Sequence, residues 1–160
     1  MKYKLVKDLM TSPAIYCEEK TSIKDIILKM KESNIGFIPI TNNDILVGVV
    51  TDRDIAIRLA DYRIEDTIDK IMTCGNIYFV NPNTPLEEAA KTMSESKIRR
   101  LVVLNDGKIT GVLTSKNLLL EPNLIHYVME TYLPEDTIKE YRMYTNSNPH
   151  DSVKTSDFPL

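Results

Sequence analysis

Val6-Lys7-Asp8-Leu9-Met10-Thr11 and Ile68-Asp69-Lys70-Ile71-Met72-Thr73 are one six-residue phrase written twice, 62 positions apart. Working outward, Ile15-Tyr16 returns as Ile77-Tyr78 at the same offset. One inserted residue then moves the offset to 63, where Thr21 meets Thr84, Met30 meets Met93, Ile35 meets Ile98, Gly48 meets Gly111 and Thr51 meets Thr114. The order of matches never breaks. A repeat of this period means that one supersecondary unit has been duplicated, and that neither copy covers its own apolar face well. The expected domains are residues 5–60 for the first repeat, 61–120 for the second, and 121–160 for a C-terminal helical, partly flexible tail.

Each copy reads the same way by hydrophobic period. A short β-like stretch comes first, around Ile15-Tyr16 and from Ile77 to Val80. Next, Ile23, Ile26, Ile27 and Met30, and then Leu86, Ala89, Ala90 and Met93, recur at i, i+3, i+4 and i+7, one apolar stripe on a helix. Thr21 or Ser22 is placed to cap the first helix, and Thr84 before Pro85 to cap the second. Two β-rich runs follow, Gly36 to Ile40 with Ile45 to Val50, and Leu101 to Leu104 with Lys108 to Leu113. Polar turns divide them, and Asp106-Gly107 is a hairpin signal. A last helix is expected from Asp52 to about Ala60, and from Ser115 to about Leu120. The class is therefore α+β: two β-α-β-β-α units packed sheet to sheet with pseudo-two-fold symmetry, plus the tail.

Bulk composition agrees with a globular protein: 160 residues, 42% hydrophobic and 27% charged. Net charge is −3, and residues 120–160 hold seven acids and three bases, so the rest of the chain is near neutral and no basic surface for nucleic acid is implied. No apolar run approaches the roughly 18 residues of a membrane span, and the N-terminus has no long apolar segment, which gives a cytoplasmic expectation. Cys17 and Cys74 have no metal-site spacing and read as free thiols.

Chemistry is expected where each copy's last strand turns into its last helix, GVVTDRD over Gly48–Asp54 and GVLTSKN over Gly111–Asn117. A threonine hydroxyl with exposed N–H groups at a helix start favours an anion, and Arg53 and Lys116 add charge. Asp54 is placed to accept hydrogen bonds from two vicinal ribose hydroxyls. The plainer reading is a helix capping box, Thr51-x-x-Asp54, which satisfies backbone donors and nothing else. The recurrence of the preceding glycine and hydrophobic pair in both copies argues for more than a cap.

At these residues the chain resembles a tandem pair of CBS domains (cystathionine β-synthase domains), the Bateman module. The resemblance runs from residue 5 to about 120 and rests on Gly-h-h-Thr-x-x-Asp/Asn in both copies, where h is hydrophobic, on Met10-Thr11 and Met72-Thr73, and on the strand Ile35 to Ile40 with its Pro39. It implies binding of AMP, ADP, ATP or S-adenosylmethionine between the repeats. In that picture Asp54 and Asn117 hold ribose hydroxyls and Thr51 and Thr114 approach phosphate. Ile15, Ile77, Ile38 and Pro39 form the adenine slot, and Arg100 lies near the phosphate. The adenosine nucleotide is then a regulatory ligand, with Mg arriving only alongside bound ATP, and no cofactor is covalent or required. The resemblance also implies a homodimer and a regulated protein partner.

The copies differ. Asn117 stands for Asp54 and Val102 for Pro39, so the Asp54 site is expected to hold adenosine nucleotides more tightly. In the tail, Leu124, Ile125, Val128, Met129 and Tyr132 share a helical face, a second helix is expected from Glu135 to Tyr144, and the polar stretch from Thr145 reads as mobile. Neither His126 nor His150 lies near a nucleophile in a recognisable motif, and no Walker loop or metal spacing occurs, so an enzyme is not expected. A ligand-sensing regulatory module is the first expectation, and a ligand-independent interaction module the alternative.

Overall fold

The computed structural model describes residues 4–147. In chain order the elements are α1 (Val6–Leu9), β1 (Cys17–Glu18), α2 (Ile23–Ser33), β2 (Phe37–Asn42), β3 (Ile45–Thr51) and α3 (Asp52–Arg58). The second copy gives β4 (Phe79–Val80), α4 (Leu86–Glu95), β5 (Arg100–Asn105), β6 (Lys108–Thr114) and α5 (Ser115–Leu118), and the tail adds α6 (Ile125–Tyr132) and α7 (Glu135–Ser147). Two three-stranded sheets result, β1-β2-β3 and β4-β5-β6, each with one parallel and one antiparallel pairing.

The duplication is exact down to irregularities. The β2–β3 register slips between Ile40 and Thr41, and the β5–β6 register slips between Val103 and Leu104. Both hairpins turn through two residues at positive φ, Asn43-Asp44 and Asp106-Gly107, the backbone that two-residue hairpins require. Ser22 caps α2, its hydroxyl accepting from the Asp25 N–H at 3.0 Å. Thr84 does not cap α4: its hydroxyl accepts instead from Asn81 N–H at 3.2 Å, tightening the preceding turn, and Pro85 occupies the cap position.

Packed cores and sequence copies are not coextensive. Val6 and Leu9 of α1 are buried with Leu86, Met93, Leu101 and Leu113 of the second copy. Ile68 and Ile71 are buried with Ile23, Ile26, Ile38 and Val50 of the first. Each copy's opening segment also adds an edge to the other's sheet. Thr11 exchanges two backbone hydrogen bonds with Val112 at 2.9 and 3.0 Å, and Thr73 exchanges two with Val49 at 2.8 and 3.0 Å. This exchange sets the pseudo-two-fold relation and explains the glycine of each junction. A Cβ on Gly48 would lie 2.5 Å from the Met72 sulfur, and one on Gly111 would lie 2.7 Å from the Met10 sulfur. Both glycines make room for the other copy's methionine.

The tail packs onto the second copy. Leu124 and Val128 join its core, and α6 lies against α4. Glu130, buried, accepts from Ser94 Oγ at 2.8 Å and from Arg142 Nε at 2.9 Å, while its backbone carbonyl accepts from Lys97 Nζ at 2.6 Å. The Arg142 hydrogen bond, together with that of Ser94, holds the Glu130 carboxyl below the usual carboxylate range against the opposing effect of burial. Helix α7 continues past Tyr144 to Ser147, and the remainder of the polar stretch lies outside the described residues. Among the described residues, no helix is long and apolar enough to cross a membrane.

Candidate functional site

Among the described residues, two clefts between the copies are bordered by the junction threonines. One, of about 260 Å³, is walled by Val49, Thr51 and Asp54 of the first copy, and by Thr73, Ile77, Tyr78, Lys97, Arg99 and Arg100 of the second. The other, of about 410 Å³, is walled by Val112, Thr114, Ser115 and Lys116 of the second copy, by Thr11, Ala14, Ile15 and Asn34 to Phe37 of the first, and again by Arg99 and Arg100. Tyr132 of α6 completes the larger cleft.

Both junctions contain a complete capping box. Thr51 N–H and O–H both donate to Asp54 Oδ2, at 2.9 and 2.7 Å, and Asp54 N–H donates to Thr51 Oγ1 at 3.0 Å. In the second copy Thr114 N–H and O–H donate to Asn117 Oδ1 at 2.8 and 2.7 Å, and Asn117 N–H donates to Thr114 Oγ1 at 3.4 Å. The plain capping reading of the motif is therefore realised. What each cap leaves over is different. Asp54 keeps Oδ1, an acceptor with negative charge, facing Arg58 at 3.6 Å. Asn117 keeps Nδ2, which can only donate. Arg58 is itself anchored, donating to the Ile71 and Met72 carbonyls at 2.7 and 3.2 Å, and its counterpart 63 positions on is Glu121.

Helices α3 and α5 have only seven and four residues, and Asp54 N–H and Asn117 N–H are already taken by the cap threonines, so the helix dipoles offer little to an anion. Positive charge comes from side chains instead. Arg100 lies over the Phe37 ring at 5.6 Å, and Arg99 over the Tyr132 ring at 5.7 Å. Burial, and then the neighbouring Arg99 charge, push the Arg100 pKa down, against the opposing pull of Asp52 and Tyr132.

Of the residues singled out in the sequence, Thr51, Asp54, Ile77 and Arg100 meet in the smaller cleft, and Thr114, Lys116, Ile15 and Arg100 meet in the larger. Each isoleucine serves the threonine of the other copy. Ile38 and Pro39 line neither cleft: Ile38 is 0% exposed within the first core, and Pro39 is buried in the central strand of its sheet. Gly48 and Gly111 are likewise buried, against Met72 and Met10. Arg53 is exposed outside the wall of the smaller cleft, and Asn117 stands behind Thr114 rather than on the wall of the larger.

Sequence reasoning missed Lys97, Arg99, Phe37 and Tyr132. The repeat contained a signal for Arg99 and Phe37, since the 63-residue offset sets Gly36-Phe37 opposite Arg99-Arg100. Tyr132 had none, because the tail has no counterpart in the repeat.

Comparison with known proteins agrees with this architecture. The CBS domain family model matches residues 6–61 and 68–122. The CBS domain-containing protein YhcV of Bacillus subtilis is 33% identical over 67% of this chain and 77% of its own length. The CBS domain pair of protein MJ0100, solved in complex with 5′-methylthioadenosine and S-adenosyl-L-methionine, superposes with a TM-score of 0.65 at 31% identity, over 72% of this chain and 93% of that one. The CBS domain protein PAE2072 of Pyrobaculum aerophilum, complexed with AMP, shares the fold with a TM-score of 0.68 at 24% identity, over 78% of this chain and 98% of that one. The crossed α+β pair with its two inter-repeat clefts thus has a family: the chain belongs to the CBS domain proteins.

Proposed function

We propose that the protein is a regulatory module that binds adenosyl ligands in its two inter-repeat clefts and conveys their presence to a partner. The observation that carries this reading is the smaller cleft. There Asp54, whose Oδ1 is left over from the cap beside Arg58, shares one wall with Ile77, Tyr78 and the Lys97, Arg99 and Arg100 cations. An adenosyl compound has the matching parts: an apolar base, a vicinal diol that donates to a carboxylate, and a 5′ group that is often anionic. MJ0100, similar over 72% of this chain, holds two adenosyl compounds.

In this reading Asp54 Oδ1 accepts from the ribose hydroxyls, Ile77 packs on the base, and Arg99 and Arg100 face the 5′ phosphate. The Thr114 cleft has Ile15 for the base and Lys116 with the same two arginines for the phosphate. It offers no carboxylate among its lining residues, so binding there depends more on the anionic group. Preference for AMP, ADP, ATP or S-adenosylmethionine follows from how much negative charge the 5′ group brings, and magnesium enters only with a triphosphate. Ligand acts by stabilising one relative packing of the two copies over another.

A homodimer is part of the proposal. Ile57 on α3 is 61% exposed, and its counterpart at the 63-residue offset, Leu120, is 63% exposed, so the two copies present related apolar spots that a second chain can cover. The module carries out no reaction of its own and works in the cytoplasm.

A thermal-shift series with AMP, ATP, S-adenosylmethionine and adenosine tests the reading. A ligand at about 100 times Kd adds about 2.7 kcal/mol of stability. No shift with any of the four would favour the ligand-independent interaction module.

A further inference from the structure

Among the described residues, Tyr132 is the one part of either cleft that lies outside the duplicated units. Its position is fixed by α6, which is held by Leu124 and Val128 in the second core and by the hydrogen bonds of Glu130 to Ser94, Lys97 and Arg142. Its ring is 54% exposed and faces the larger cleft. Its hydroxyl is 2.9 Å from Ser115 Oγ, beside Lys116, and Arg99 lies 5.7 Å from the ring centroid. The phenol therefore lies beside a cation, on the wall of a cleft that Ile15 and Ala14 also line.

We propose that the Tyr132 hydroxyl is a direct contact for the anionic 5′ group of a ligand in the Thr114 cleft and makes that cleft selective for phosphorylated over unphosphorylated adenosyl compounds. The protons allow it. Either oxygen of the Ser115–Tyr132 pair can be the donor. Buried Ser115 can donate its proton to the phenolic oxygen, which leaves the phenol proton for a phosphate oxygen. A neutral adenosine has no oxygen of that charge at the 5′ end, so the contact adds to AMP and not to adenosine. Among the described residues the smaller cleft has nothing equivalent, since its counterpart of Ser115 is Asp52 and no tail residue lines it. The inference rests on the adenosyl-ligand reading of the clefts.

Calorimetric titration of the full chain with AMP and with adenosine tests it, comparing Asp54→Asn with Asp54→Asn/Tyr132→Phe. Asp54→Asn keeps an oxygen for the cap and weakens the Thr51 cleft, so that the Thr114 cleft contributes more of the measured binding. Phenylalanine keeps the ring but takes away the partner of the Ser115 hydroxyl, so the melting temperature should fall slightly while both proteins stay folded at the titration temperature. A hydrogen bond to a charged group predicts that Tyr132→Phe weakens AMP about tenfold and leaves adenosine within about twofold. Equal losses for both ligands would assign Tyr132 a packing role and overturn the proposal, as would no loss for either. If the unsubstituted chain bound neither compound, the adenosyl reading itself would fall. Binding that is insensitive to Tyr132 overturns this inference alone.

Discussion

The Thr51 and Thr114 junctions share a backbone, a cap and a glycine that admits the other copy's methionine, yet they leave different chemistry in the clefts they border. In the first, the cap uses one oxygen of a carboxylate and leaves the other, with Arg58 beside it. In the second, the cap uses the only oxygen of an amide and leaves a donor. Asp at this position caps the helix and keeps a charged acceptor, whereas Asn caps the helix and keeps a donor. The two copies share what stabilises the strand-to-helix turn and differ in the group that is left over. The arginines show the same divergence from the other side. Gly36-Phe37 in the first copy stands opposite Arg99-Arg100 in the second, so one copy supplies the cationic pair for both clefts.

The shared frame should fail first and most severely. Gly48→Val and Gly111→Val each force a side chain into a methionine and near a backbone carbonyl, the Thr73 oxygen at 3.2 Å or the Thr11 oxygen at 3.0 Å. Overpacking of this kind should cost about 3 kcal/mol in chemical denaturation, while Gly75→Ala, with nothing within 4 Å, should change stability by less than about 0.5 kcal/mol. If Gly48→Val were silent, the two copies would not be locked by the exchanged methionines.

Removing the anchor of the tail comes next. Glu130→Ala leaves Ser94 and Arg142 without their shared carboxylate and should cost about 2 kcal/mol at neutral pH. The folded Glu130 pKa is depressed from its ordinary value of 4.5, chiefly by Arg142, so its contribution is full above that value and lost as pH falls through the folded pKa. Unfolding curves of the two proteins should therefore converge in acid. A difference that persisted unchanged to low pH would mean that the carboxylate charge is not what holds α6.

The caps sharpen the comparison by being equal. Thr51→Ala and Thr114→Ala should each lose about 1 kcal/mol of stability, since both remove the same capping bonds. A large inequality would show that one junction is not a simple cap. Smallest of all is Lys116→Ala, which removes an exposed cation from the rim of the Thr114 cleft. It should weaken AMP there by about twofold at low salt and less at high salt, with no effect on the Thr51 cleft.

Most of the fold was legible in the sequence because the repeat fixed two registers at once. The paired stripes on α2 and α4 and the hairpin turns could be checked against each other. The exchange of opening segments was not legible. Val6-Leu9 and Ile68-Ile71 look alike, and nothing local says which core each one joins; only the packing of Met10 on Gly111 and of Met72 on Gly48 shows it. The same exchange explains why Ile15 and Ile77 serve the opposite threonines. That Ile38 and Pro39 lie off the cleft walls was not legible either, because a hydrophobic strand looks identical from either face until its neighbours are known; as the central strand of its sheet, β2 turns Ile38 into the core. Tyr132 was read as one more residue of an apolar helical stripe, and its hydroxyl acquires meaning only from the Ser115 hydroxyl beside it.

The most direct test of the account is the reciprocal exchange Asp54→Asn and Asn117→Asp, titrated with AMP by calorimetry. Both substitutions keep a cap oxygen, so fold and stability should be little changed. The account predicts that Asp54→Asn weakens the tighter of two affinities by about tenfold, the loss expected when a charged acceptor for the ribose hydroxyls becomes a donor, and leaves the weaker one alone. Asn117→Asp should leave the tighter affinity untouched. An Asp54→Asn protein that retains the tighter affinity, or an Asn117→Asp exchange that alone abolishes it, would contradict the assignment of Asp54 Oδ1 as the ribose acceptor.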